Sequence, residues 1–477
     1  MNRPIMRLYG LVAVLFLLLV AFTSRWTVFD ASSLRHSPLN VRGLLAQERI
    51  QRGTIRAADG TVLAHSVRSR EGTYTRTYPL GERFANAIGY AYAESGQLSG
   101  LELSRNGPLS GETQENFQTI LNQLQGKHHQ GNELITTLQP KAQQVAQQAL
   151  GSYEGAVVAL EPKTGAVTVM ASNPSFNPSQ TRTAQGLSEL NHSSGAPLFN
   201  RATEGGYAPG STFKVITATA AIDSGQFTPL STLSGRNDIL ISGVPLGNDN
   251  NDSFGEITLT KALAESVNTV WAQVATKLGK STMARYMQRF GFDHKPQLDY
   301  PTGEMSASGE YFNGRLTSPR SELVDVGRMG IGQDHLEVTP LQMAEVAAAV
   351  ANHGKLMVPY LTQRIVNPEG ATIAQTNPRV QAAVMKPSSA SAVTEMMEAV
   401  VNEGTGTTAR IPGIQVAGKT GTAETQVGQS TNNVWFIAFA PASNPTVAVA
   451  ATIAHAPGYG ATYAAPVAKA VMEALLK

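Results

Sequence analysis

The segment Tyr207-Ala208-Pro209-Gly210-Ser211-Thr212-Phe213-Lys214 brings a hydroxyl and an amine to one side of a predicted helix start. Pro209-Gly210 is a breaker pair, and Val215-Ile216 with Ala218 to Ile222 suit a helix, so Ser211 falls in the first turn. Lys214, three residues on, shares that face and can approach the hydroxyl. A serine hydroxyl is a weak nucleophile until a neighbouring base takes its proton. Lysine can be that base only when neutral, against a free pKa near about 10.4. Burial together with a second cation lowers such a pKa, by up to about 3–5 units for a fully buried group. The chemistry therefore calls for another lysine. The plainer reading of Ser211 is a helix cap with Lys214 in solvent. Against it, a cation near a helix N-terminus is unfavourable, and Ser211 opens the sole Ser-x-x-Lys in the chain.

The second lysine is available in Val416-Ala417-Gly418-Lys419-Thr420-Gly421-Thr422-Ala423-Glu424, where small residues surround a cation at the end of a predicted strand. An extended peptide could lie along such a surface. Lys163-Thr164-Gly165 repeats the triplet, but it follows Pro162 and fits a hairpin tip. Lys419 has no turn to explain it. A third element, Ser266-Val267-Asn268, lies in the helix-like stretch from Leu263 to Val274. Ser-x-Asn also occurs at Ser104, Ser175 and Ser430, yet only the Ser266 copy stands between the other two elements. Polar residues inside a helix are mildly disfavoured, so a pair there asks for a reason, a solvent face or a helix–helix hydrogen bond being the plain one.

The elements that must position these residues come from both ends of the chain. Ala156 to Leu160 and Ala166 to Met170 flank a Pro162–Gly165 turn and read as a hairpin of apolar strands. Gln415 to Ala417, Val434 to Phe439 and Val447 to Ala450 read as three more strands, and a helix from about Ala464 to Leu476 closes the chain. Such runs fit a sheet covered by helices on both faces. Helices are predicted near 212–224, 260–278, 281–290 and 340–353. Residues 27 to about 140 differ in composition, with a hairpin turning at Asp59-Gly60, a strand over Leu134 to Leu138 and a helix over Gln139 to Leu150.

With 477 residues the chain has room for two or three domains. A net charge of +2 and the lack of a basic tract give no case for nucleic acid. Cysteine is absent, which excludes disulfides, thiolate metal sites and cysteine nucleophiles. The nine histidines are scattered. The close pair His128-His129 reads as a surface loop, so no metal or cofactor is called for. Arg3 and Arg7 precede an apolar run from Leu8 to Phe22, and Arg25 follows. The run reaches spanning length when Ile5, Met6 and Thr23 join it. A retained anchor is the expected reading. The alternative, a cleaved leader, has only Ala21-Phe22-Thr23 as a small-x-small site. The arginine bias puts the N-terminus in the cytoplasm and the rest outside.

Ser-x-x-Lys, then Ser-x-Asn, then Lys-Thr-Gly is the order known from penicillin-binding proteins and serine β-lactamases. The sequence resembles a class B penicillin-binding protein over nearly its whole length. Arg52-Gly53-x-Ile55 with Asp59-Gly60 and Leu63-Ala64, and Gly100-Leu101-Glu102 with Leu109-Ser110-Gly111, resemble that family's N-terminal region. Asn200-Arg201-Ala202, Gly330-Ile331-Gly332-Gln333, Thr339 to Ala344, Glu403 to Thr407 and Trp435-Phe436 resemble features of its transpeptidase domain.

The resemblance implies an α/β (α+β) fold, with a central antiparallel sheet between helices, a small mixed N-terminal domain and one transmembrane helix. It divides the chain into a cytoplasmic tail (1–7), an anchor (8–24), a non-catalytic domain (25–145) and a transpeptidase domain (146–477). It implies that Ser211 attacks the bond between two D-alanines of a peptidoglycan stem peptide, and that an amine from a neighbouring stem resolves the acyl-enzyme. Lys214 would be the acylation base. Ser266 would relay a proton, Asn268 would hold Lys214 and the substrate amide, and Lys419 would supply the cation. Thr420, Gly421 and Thr422 would bind substrate, and the N–H groups of Ser211 and Thr422 would form the oxyanion hole. β-Lactams would acylate Ser211. A polytopic glycan polymerase of the divisome or elongasome is the expected membrane partner. The rival readings are a D,D-carboxypeptidase or β-lactamase, a β-lactam or cell-wall sensor, and a structural role in a division or elongation complex.

Overall fold

Strands from the two distant stretches meet in one antiparallel sheet. The computed structural model describes residues 3–25, 50–92, 97–111, 130–424 and 431–477; His128, His129 and Ser430 lie outside them. The sheet order is Ala417–Glu424, Asn432–Ala440, Val447–Ala456, Gly155–Leu160 and Val167–Asn173. Alternation along each strand sends side chains to two separate cores. Val157, Ala159, Phe436, Ala438 and Val449 join one; Ala156, Val158, Trp435, Ile437 and Ala450 join the other. The helices Pro140–Leu150 and Gly460–Leu475 pack in the first core. The second holds Pro340–Ala351, a mostly apolar helix all of whose residues are buried, Gln342 and Glu345 included. Apolar runs with no polar alternation thus follow from a sheet that meets no solvent on either face.

The middle of the chain supplies the helical half. Pro209-Gly210 opens a short 3-10 turn, Gly210–Phe213, which runs into the helix Lys214–Asp223. The helices expected over 260–278 and 281–290 are interrupted at Gly279, where φ is 76° and ψ is 160°. Upstream, a further break divides Leu259–Ala264 from Asn268–Arg289. The closing helix begins at Gly460, ahead of the expected Ala464.

The hairpin at Asp59-Gly60 forms as expected, with Ile55–Arg56 antiparallel to Val62–Arg68 and Gly60 at φ 86°. The strand Glu133–Thr136 runs parallel to Ile55–Arg56. A later hairpin, Thr362–Val366 with Thr372–Gln375, joins this same six-stranded sheet by pairing with Glu133–Thr136. By its place in the chain that hairpin falls within 146–477, the stretch expected to be catalytic. The boundary expected at 145 falls inside the helix Pro140–Leu150, which packs on the five-stranded sheet. At the N-terminus, Arg3–Ser24 forms a 22-residue helix with no buried residue, and its most apolar 18-residue stretch has a mean hydropathy of 2.5. At 1.5 Å per residue it is about 33 Å long, enough to cross a hydrocarbon core of about 30 Å.

Candidate active site

Ser211 is held where three backbone segments touch. Gly210 adopts φ 52°, and a Cβ there would stand 2.5 Å from the Thr422 carbonyl oxygen and 3.1 Å from its nitrogen. Behind it, Gly332 has φ 77°, and a Cβ on Gly332 would lie 1.9 Å from the Gly210 carbonyl oxygen. The Gly210 N–H donates to the Gly332 carbonyl at 3.0 Å. Only residues without a side chain let these chains approach so closely. The contact sets the Ser211 turn against Ala417–Glu424, the edge strand of the sheet. Trp435 secures the approach from the neighbouring strand, its Nε1–H donating to the Ala208 carbonyl at 2.9 Å.

Both lysines are fully buried, at 0 % exposure. Lys214 Nζ lies 2.9 Å from Ser211 Oγ, 2.7 Å from the Ser266 carbonyl, 3.3 Å from Ser266 Oγ and 2.6 Å from Asn268 Oδ1. Lys419 Nζ donates to Ser266 Oγ at 2.9 Å, the Thr420 carbonyl at 3.0 Å and Thr420 Oγ1 at 3.3 Å. The Ser266 hydroxyl therefore bridges the two amines. Burial pulls Lys214 down to about 7, against an opposing pull from Asp249. Lys419 also falls well below its usual value, through burial first and the nearby charge of Lys214 second, while Asp249 again opposes. Removing an ammonium from water disfavours its charged form, and two ammonium groups so close disfavour each other.

Ser211, Lys214, Ser266, Asn268, Lys419 and Thr420 thus converge. Two placements differ from the sequence reading. Ser266 is not inside a helix: it lies in the break between Leu259–Ala264 and Asn268–Arg289, at φ 59°. A serine in that left-handed region is strained, and the strain is held where two lysines bond to it. Lys419 does not end its strand; the strand continues through Thr420, Gly421 and Thr422 to Glu424. Gly421 packs under the nucleophile turn, since a Cβ there would come 2.6 Å from the Pro209 carbonyl oxygen. Thr422 Oγ1 accepts from the Gly460 N–H at 3.3 Å. The decoy Lys163 sits at its exposed hairpin tip, bonded to Asn444.

A cleft of about 340 Å³ opens at Ser211, lined also by Ser266, Thr405, Thr420, Thr422 and Tyr459. Sequence reasoning gave no role to Thr405, whose hydroxyl shares a 2.7 Å hydrogen bond with Thr420 Oγ1. The run Asn248-Asp249-Asn250-Asn251-Asp252 likewise has no role in the sequence reading, yet Asn248, Asp249, Asn250 and Asp252 line the cleft. A cluster of five Asn and Asp residues signals a turn with local side-chain bonding, and that was the available clue.

Residues 155–473 match the family described as the penicillin binding protein transpeptidase domain, and residues 52–134 match the penicillin binding protein A dimerisation domain. The peptidoglycan D,D-transpeptidase PbpA of Mycolicibacterium smegmatis is 34% identical over 501 aligned residues, which cover 100% of this chain and 99% of that protein. The protein of the same name from Mycobacterium tuberculosis is 34% identical with the same coverage. Among solved structures, the ceftriaxone acyl-enzyme of penicillin-binding protein A from M. tuberculosis superposes with a TM-score of 0.82 at 32% identity, over 91% of this chain and 100% of that one. The penicillin G acyl-enzyme of the same protein superposes with a TM-score of 0.80, also at 32% identity. The catalytic-domain match spans more than half of the chain and the relatives align end to end, so the chain belongs to the penicillin-binding-protein transpeptidases, and among them to class B.

Proposed function

We propose that the protein is a peptidoglycan D,D-transpeptidase in which Ser211 is the nucleophile, Lys214 its base, Ser266 a proton relay and Lys419 the substrate-facing cation. The observation that carries this reading is the set of contacts around the two amines. A neutral amine has two N–H groups and one lone pair; an ammonium has three N–H groups and none. Around Lys214, the short contacts to the Ser266 carbonyl and Asn268 Oδ1 use two donors, leaving the lone pair for the Ser211 hydroxyl proton. Around Lys419, three acceptors match the three N–H groups of an ammonium. These contacts support a neutral base beside the nucleophile and, against the downward pull of burial and of Lys214 on Lys419, a cation beside the threonines.

On that reading Ser211 Oγ adds to the carbonyl carbon between two D-alanines while its proton passes to Lys214. The developing oxyanion is met by the N–H groups of Ser211 and Thr422, whose segments touch at Gly210. As the tetrahedral centre collapses, the C–N bond breaks, and the leaving amine of D-alanine takes a proton from Lys214 through the Ser266 hydroxyl. Lys419, with Thr420 and Thr422 around Gly421, grips the terminal carboxylate. Asn268 holds Lys214 and the substrate amide. An acceptor amine then attacks the ester and yields its proton to Lys214; as the C–O bond breaks, Ser211 Oγ takes that proton back from Lys214, leaving a cross-link and the free enzyme. β-Lactams, which end in the same acyl-serine without a departing amine, block the site. The helix Arg3–Ser24 anchors the chain with its N-terminus in the cytoplasm and the catalytic domain outside, next to a polytopic glycan polymerase. The six-stranded sheet that joins Ile55–Arg56, Glu133–Thr136 and Thr362–Val366 belongs to a non-catalytic pedestal, and the helix Pro140–Leu150 goes with the catalytic unit.

A fluorescent penicillin should label the protein, and Ser211→Ala should abolish labelling with the thermal melt unchanged. Labelling that persists in that variant refutes the nucleophile. Given lipid-linked stem peptides and a glycan polymerase, the protein should form dimeric cross-links. Release of D-alanine alone would assign it to the carboxypeptidases instead.

A further inference from the structure

A neutral Lys214 can serve Ser211 only if nothing else claims its one lone pair. Two neighbours could do so: the Ser266 hydroxyl, whose oxygen lies 3.3 Å from Nζ, and the closer Asn268 amide at 2.6 Å, which presents either a carbonyl oxygen or an N–H depending on its orientation. With Oδ1 toward Lys214 the amide accepts; turned over, its N–H would bond the lone pair and compete with the Ser211 proton. What fixes the orientation lies on the far side of the amide. Asn268 Nδ2 donates to Asp249 Oδ1 at 3.2 Å and faces the Gly247 carbonyl at 3.4 Å. Two acceptors there demand an N–H and repel an oxygen.

The loop bearing Asp249 is itself tied to the helix that begins at Asn268. Asn248 is buried, and its Oδ1 accepts from the Thr269 N–H at 3.0 Å. Its Nδ2 donates to the carbonyls of Gly235 at 3.0 Å and Asp252 at 2.9 Å. Asn250 and Asn251 follow at φ 55° and 60°, a conformation that this clamp maintains. The carboxylate is thus set beside one particular amide and is not on a free surface loop.

We propose that Asp249 is a positioning residue for acylation, locking the Asn268 amide so that its Oδ1 faces Lys214 and the lysine lone pair is kept for Ser211. The inference rests on Lys214 being the base. It also carries an electrostatic signature. Lys214, Lys419, Asp249, Asp252 and Glu265 are the charged groups around this wall of the cleft. Asp249 opposes the downward shift of both lysines. Its carboxylate borders solvent, so that effect is screened.

The test measures the second-order rate of acylation by a fluorescent penicillin from pH about 6 to 9, in the full-length protein with Asp249→Ala and with Asp249→Asn. The amide of Asp249→Asn still offers an oxygen to Asn268 Nδ2, so its plateau rate should stay within about threefold of the native one. Asp249→Ala offers none, and its plateau should fall about tenfold, the loss of one charge-assisted hydrogen bond acting through the amide. Both variants lose the charge, so both rising limbs should move to lower pH, by less than about one unit for an exposed group. A merely structural role would lower the melting temperature and the fraction of labelled protein, without moving the midpoint. A native profile that titrates near 7 while Asp249→Ala keeps the native plateau overturns this inference alone. A native profile flat across the range removes Lys214 as the base, and this inference with it.

Discussion

Replacing Asn268 by Asp exchanges an amide for a carboxylate of the same shape, 2.6 Å from Lys214 Nζ through the oxygen that remains. The exchange tests whether Lys214 must be neutral. Two unit charges about 4 Å apart attract by about 4 kcal/mol at an effective dielectric near 20, which is roughly 3 pKa units at about 1.36 kcal/mol per unit. The new carboxylate would also stand beside Asp249, which bonds the present Nδ2 at 3.2 Å, and that repulsion keeps it partly protonated. Discounted for this, an upward shift of about 2 units is expected, moving Lys214 from about 7 toward about 9. Acylation needs the neutral amine, so its pH profile moves the same way. At pH 7 the rate should fall by roughly fiftyfold, and most of it should return by pH about 10. Stopped-flow acylation with a fluorescent penicillin measures the profile directly. Asn268→Ala removes the acceptor without adding charge, and should lose rate at every pH with no upward shift. A loss in Asn268→Asp that is equal at all pH values, with the midpoint unmoved, would refute the assignment of Lys214 as a base that works only when deprotonated.

Gly332→Ala tests the packing behind the nucleophile. Its Cβ would lie 1.9 Å from the Gly210 carbonyl oxygen at φ 77°, so the Ser211 turn must shift, and a displacement of about 1 Å costs on the order of a hundredfold in rate; acylation at the native rate would show that the turn tolerates it. Glu102→Gln addresses the N-terminal region. Burial alone would raise Glu102, but Arg76 at 2.7 Å and Arg52 at 2.6 Å prevail and hold it below the usual carboxylate range. Its stabilising effect is present above the unfolded carboxylate pKa and is lost as pH falls through the lower folded value. The variant should unfold about 3–5 kcal/mol more easily at pH 7 in denaturant, with most of that difference gone in acid.

The parts of the site that were legible in the sequence are those fixed by short-range rules. Pro209-Gly210 followed by helix formers placed Ser211 and Lys214 on one turn, and the chain folds that way. The turn at Pro162–Gly165 disqualified Lys163, which indeed lies at a hairpin tip. The reading went astray where tertiary contact overrides local preference. Lys419-Thr420-Gly421-Thr422 looks too polar and too small for a buried strand. It becomes one because the Ser211 turn covers Gly421 and the Ser266 hydroxyl meets Lys419. The break at Ser266 has neither glycine nor proline to announce it. Its left-handed backbone survives because the serine carbonyl and hydroxyl both bond to Lys214. The pairing of Thr362–Val366 with Glu133–Thr136 is remote in sequence, and no local pattern encodes it.

The two buried lysines also tie catalysis to the stability of the fold. No salt bridge to either is formed among the described residues; their bonds are to hydroxyl, amide and carbonyl oxygens. A buried ammonium without a carboxylate is costly, and the cost is relieved when the proton leaves. The sign follows from the direction of the shift. Lys214 titrates near about 7 in the folded state and near about 10.4 when unfolded, so between those values the unfolded chain binds more protons and stability rises with pH. A difference of roughly 3 units corresponds to about 4 kcal/mol across that window. Acylation should rise from the lower edge of the same window, because the neutral amine that relieves the fold is the amine that accepts the Ser211 proton. Lys214→Met should therefore be more stable than the native protein at pH 7, by an amount that shrinks toward pH 10, while labelling by penicillin is lost. A variant that loses labelling and is destabilised equally at both pH values would show that Lys214 is held in place by favourable bonding alone, and that its burial carries no cost for the site to exploit.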